Sequence, residues 1–105
     1  MGIVRAAIHF QKDYPPIEVE EGANLMQSLL EAGRAVASSC YGKGICSKCR
    51  VRVIEGAENL SKPNALEKQR RELMANTPQA MKDDERLSCQ TRLLKSSVKI
   101  DTDYW

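Results

Sequence analysis

The 105-residue chain is poor in aromatics, with one Phe and one Trp among them, and its 16 basic side chains outnumber its 14 acidic ones by only two. A nucleic-acid binder usually carries a basic stripe interleaved with stacking rings, so this composition argues against that partner class. Long apolar runs are missing too. The longest, such as Ala6–Ile8 and Ala35–Ala37, extend over three residues, far short of the ~20 that a membrane-spanning helix requires. The amino terminus shows no charged leader before an apolar segment, and Ala6 stands where a myristoylation signal wants Ser or Thr. The expectation is a cytoplasmic protein with no membrane insertion. Leu, Ile, Val and Phe number nine, six, six and one, which sits near the lower limit for a foldable core. One domain spanning residues 1–105 is expected, with a core thin enough to gain from a bound metal or a cross-link.

What the chain does have is alternation and period. Ile3 to Phe10 has strand composition, Asp13-Tyr14-Pro15-Pro16 is a turn signal, and Ile17 and Val19 alternate with Glu18 and Glu20, so the two runs are predicted to pair antiparallel with one wet face. From Asn24 the period changes. Leu25, Met26, Leu29 and Leu30 share a helical face, Asn24 and Gln27 form a capping-box signature, and Gly33 can end the helix in the left-handed conformation. Arg50 to Ile54 alternates as a strand, and Asn64 with Glu67 opens a second, shorter helix closing near Pro78, its mixed charges suiting a solvated face. Val98 and Ile100 alternate with Lys99 and Asp101 in a last strand. Strands and helices without strict alternation predict an α+β fold, a mixed sheet with helices on one side.

Four cysteines stand out: Cys40, Cys46 and Cys49 in a loop of small residues from Ser38 to Lys48 and its edge, then Cys89 after 39 intervening residues. Disulfides suit a secreted chain, for which nothing here speaks. A redox dithiol at Cys46 and Cys49 normally opens a helix that lowers its pKa, whereas a strand follows Cys49. A four-thiolate metal site is the third arrangement. Structural zinc usually takes its ligands as two pairs on two tight turns, so three on one loop and one distant make zinc atypical. A two-iron, two-sulfide cluster is wider and suits a long glycine-bearing loop. Bound to four thiolates it carries roughly two negative charges when oxidised and three when reduced, which calls for amide donors and nearby cations such as Lys43, Lys48, Arg50 and Arg52.

The runs Gly42-Lys43-Gly44-Ile45-Cys46-Ser47-Lys48-Cys49-Arg50-Val51 and Arg86-Leu87-Ser88-Cys89-Gln90-Thr91 resemble the 2Fe-2S ferredoxins of the β-grasp fold. The five-residue first gap is closer to the vertebrate and bacterial branch than to the plant-type spacing. The chain is also similar to ferredoxin-like amino-terminal domains of larger bacterial proteins, including reductive activators of corrinoid proteins. The resemblance implies a β-grasp mixed sheet with one main helix and a shorter second helix, and one 2Fe-2S cluster per chain. Its ligands would be Cys40 and Cys46 on one iron, the one reduced, and Cys49 and Cys89 on the other. It implies a one-electron carrier, not an enzyme, that shuttles as a monomer between a reductase and an acceptor oxidoreductase. An electron-transfer subunit of a fixed complex is the alternative, and a zinc-stabilised structural domain the remote one.

The segment Lys43 to Glu55 holds four cations and one acid, so an acidic partner patch is expected to dock there, with an attraction that salt would weaken. The charges of the second helix match no acidic docking helix. His9 is expected as a partly exposed sheet residue, since cysteines already fill four ligand positions. The terminal Asp103-Tyr104-Trp105 is expected to pack on the domain as a plug, to contact a partner, or to fray as tails usually do.

Overall fold

Alternation along the first strands sets the architecture. The computed structural model describes residues 5–34, 36, 49–78, 80–102 and 105. In chain order these form β1 (Arg5–Phe10), β2 (Ile17–Glu20), β3 (Ala23–Asn24), α1 (Leu25–Glu31), β4 (Arg50–Glu55), a 3-10 turn at Ala57–Asn59, α2 (Ala65–Met74), β5 (Glu85–Leu87), a second 3-10 turn at Ser88–Gln90, β6 (Arg92–Leu93) and β7 (Ser97–Asp101). Ala6, Ile8 and Phe10 point from β1 into the core while His9 stays exposed, as expected of it. Antiparallel pairing with β2 sets Ala6 opposite Val19 and Ile8 opposite Ile17. Glu18 and Glu20 remain in water on this edge strand, where charge discourages further strand addition.

The main sheet runs in the order β2-β1-β7-β4-β5, with β7 parallel to β1 and every other contact antiparallel. This is the predicted mixed sheet. Leu25 and Leu29 of α1, both without solvent exposure, pack with Ile8, Val51, Val98 and Ile100 of the sheet. Each such side chain contributes roughly 1.5–3 kcal/mol by leaving water. Phe10, Tyr14 and Trp105 meet edge to face, with the Trp105 and Phe10 rings 5.2 Å apart, so Trp105 packs on the domain rather than fraying. Its neighbour Tyr104 lies outside the described residues. The Arg34 guanidinium lies 4.1 Å from the centre of the Tyr14 ring.

Several expectations need correction. The second helix is the longer one, ten residues against seven. Left-handed Gly33, at φ 81°, stops α1 early, whereas α2 continues until Thr77 donates its hydroxyl proton to the Met74 carbonyl at 2.8 Å. Leu30 is 49% exposed although it shares the apolar arc of α1. Alternation along β7 sends Asp101 to solvent with Lys99, yet Asp101 is buried, held by Lys12 at 2.6 Å and Arg52 at 2.8 Å. The short strands β3, β5 and β6 have no alternation to announce them.

Candidate metal centre

Cys49 and Cys89 come together where β4 leaves the loop and β5 turns back. Pairing of Arg50 with Leu87 aligns the two strands, and Ser88 then grips the Cys49 carbonyl twice, donating from its amide at 3.2 Å and its hydroxyl at 2.7 Å. Cys89 sits in the 3-10 turn that follows, closed by the Thr91 hydroxyl donating to the Leu87 carbonyl at 2.8 Å. From the other side Asn24, which caps α1 with its oxygen, uses its Nδ2 to donate to the Cys89 carbonyl at 2.9 Å. The two sulfurs end 3.3 Å apart, both buried, walled by Met26, Leu87, Val36 and Met81. Cys40 and Cys46, with Lys43, Lys48, Gly42 and Gly44, lie outside the described residues.

The donor chemistry of this pair fits a metal. The hydrogen bond to Cys89, reinforced by burial, pushes the Cys49 thiol far above its usual range. Two thiolates cannot share this space without a cation, and a metal ion supplies one while releasing the protons. At 3.3 Å the two sulfurs are close enough that one metal ion could take both as ligands. Gln90 also directs its Nε2–H at the Cys89 sulfur, at 3.5 Å, as suits a thiolate.

Of the four cations in the expected docking patch, Arg50 and Arg52 are among the described residues. Arg52 turns to Asp101, and Arg50 reaches Glu85 at 3.7 Å and the Ala80 carbonyl at 3.5 Å. Both pair with carboxylates of the fold while keeping part of the side chain in solvent. The mixed charges of α2 suggest a solvated face, yet Glu67 is fully buried. Its carboxylate accepts from Arg86 Nε at 2.9 Å and from the Leu87 amide at 2.9 Å, anchoring α2 to the strand that delivers Cys89. The capping-box pattern singles out Glu67 but sends its side chain to the wrong backbone amide.

A mixed sheet packed by α1, with two buried sulfurs beside the antiparallel β4–β5 strand pair, has the architecture of a small β-grasp domain. Residues 13–94 match the family model of the 2Fe-2S iron-sulfur cluster binding domain. Among relatives, the 2Fe-2S ferredoxin-5 of Aquifex aeolicus is 38% identical over 73 residues, covering 70% of this chain and 72% of that protein. One subunit of the Na(+)-translocating NADH-quinone reductase of Chlamydia trachomatis is 36% identical over 75 residues, 71% of this chain but only 16% of that longer protein. In fold the chain is similar to the crystal structure of the ISC-like [2Fe-2S] ferredoxin of Pseudomonas putida, with a TM-score of 0.77 and 19% identity over 95% of this chain and 94% of that one. The chain belongs to the 2Fe-2S ferredoxin family, whose domain binds one such cluster and carries electrons.

Proposed function

We propose that Cys40, Cys46, Cys49 and Cys89 hold the cluster, with Cys49 and Cys89 on one iron and Cys40 and Cys46 on the other. In this reading residues 1–105 act as a single one-electron carrier domain. The observation that carries the reading is the buried sulfur pair of Cys49 and Cys89, 3.3 Å apart. When bound, the cluster accepts and returns one electron. The chain's own part is to fix the sulfurs through Ser88, Thr91 and Asn24, to wall them from water with Met26 and Leu87, and to aim donors at them. A reductase supplies the electron and a second oxidoreductase takes it, with the carrier a monomer in the cytoplasm. No described helix is long and apolar enough to cross a membrane, in keeping with that picture.

A second reading is favoured by the match to a short part of the NADH-quinone reductase protein, in which the domain relays electrons inside a fixed assembly. Purification under gentle conditions separates the two: a brown species at the mass of the lone chain supports the shuttle, and a stoichiometric complex supports the module. The test of the centre itself is an absorption and paramagnetic-resonance spectrum with iron and acid-labile sulfide counted. Two of each per chain, lost in Cys49→Ser and Cys89→Ser, is the expected result. Stoichiometric zinc in a colourless protein would sink the assignment.

A further inference from the structure

The side chains of Asn64 and Gln90 form a directed chain from the start of α2 to the Cys89 sulfur. Its polarity is decided at one end. The Glu67 backbone amide can only donate, and it donates to Asn64 Oδ1 at 3.0 Å. The other half of that side-chain amide, Nδ2, therefore points away from the helix, and it donates to Gln90 Oε1 at 2.8 Å. Gln90 is left with its Nε2–H facing the Cys89 sulfur at 3.5 Å. Each amide offers one accepting and one donating end, so fixing the first orientation fixes the second.

We infer that Gln90 sets the reduction potential of the bound cluster by donating to the Cys89 sulfur, and that Asn64 is the positioning residue that holds it in that orientation. The inference rests on the reading of Cys89 as a ligand. Reduction adds one electron, supplied by the reductase or by dithionite, without a proton, so the negative charge shared by the ligand sulfurs grows. A donor aimed at one of them is then a stronger, charge-assisted hydrogen bond in the reduced state than in the oxidised state. Removing that donor favours the oxidised form.

The experiment is a dithionite redox titration of the loaded protein, followed by the paramagnetic signal of the reduced form. In Gln90→Leu the reduced-to-oxidised ratio at a fixed applied potential should fall about three- to tenfold, the upper end being about 59 mV for one electron. Asn64→Ser keeps a good helix cap without adding charge, so helix content should be unchanged while the ratio falls in the same direction by a smaller factor. A purely structural role would move neither potential. With iron and sulfide content equal to the parent protein, an unchanged potential in either variant overturns the proposal. If Gln90→Leu does not load, Asn64→Ser decides alone. A parent protein that takes up no iron and sulfide, or a Cys89→Ser variant with the parent spectrum, defeats the ligand assignment instead.

Discussion

A carboxylate without solvent exposure is an expensive group, and Glu67 is tolerated because Arg86 meets it at both oxygens while the Leu87 amide meets one. Removing one partner of such a pair strands the other. Arg86 is itself only 11% exposed, so Glu67→Ala should cost about 3 kcal/mol, within the range for broken buried pairs. Glu67→Gln keeps an acceptor and should cost less. Urea unfolding of the two variants beside the parent measures both, and parental midpoints in Glu67→Ala would show that the pair contributes nothing. Arg86 also donates to the Ser61 carbonyl at 2.8 Å, which ties the segment before α2 to the strand entering Cys89.

Among the elements, the end of β4 is the least forgiving. Gly56 has φ 88°, and a Cβ there would stand 2.5 Å from the Ser97 carbonyl oxygen of β7. Both the left-handed backbone and the close approach demand glycine. Gly33 has φ 81° with nothing within 4 Å of a Cβ. Gly33→Ala should therefore cost about 1 kcal/mol and Gly56→Ala clearly more, a ranking that melting temperatures of the two variants test directly. The far end of β7 depends on charge. Burial raises the Asp101 pKa, but the hydrogen bonds from Lys12 and Arg52 outweigh it and hold the carboxyl below its ordinary value of 3.8. A depressed folded pKa means that this stabilisation is complete above the ordinary value and is lost as the pH falls through the lower, folded one. Asp101→Asn should flatten the acid limb of stability against pH, read by circular dichroism from pH 6 downward, and an unchanged limb would assign that limb to other carboxylates.

At the scale of the molecule, the described residues bury a small sheet–helix core and, beside it, the Cys49 and Cys89 sulfurs; if that pair ligates the cluster as proposed, cluster binding and folding are coupled. Stripping iron with a chelator should lower the melting temperature by roughly 5–10 °C, as a loss of one to two kcal/mol does in a domain of this size. Calorimetry of stripped and reconstituted protein checks it, and equal melting points would show that the centre adds no stability. At this scale much is legible from the chain alone. Strand composition from Ile3 to Phe10 marks β1, alternation at Val98 and Ile100 marks β7 because a half-buried sheet must bury every second side chain, and Asn24 and Gly33 bracket α1 by capping chemistry. The strands β3, β5 and β6 are too short for any period to register, and the burial of Glu67 and Asp101 depends on partners distant in the chain.

Cysteine number and spacing, glycine placement and the apolar period are local properties: by themselves they pointed to a thiolate metal site in a mixed α+β sheet, and the resemblance carried by the two cysteine motifs added the 2Fe-2S centre and the β-grasp fold. Tertiary structure alone decided which polar groups distant in the chain meet. Asn64 and Gln90 are 26 residues apart, and Arg52 and Asp101 are 49 apart. Such pairings carry no local signature because sheet order and helix placement, set by burial of the whole core, bring them within hydrogen-bonding distance.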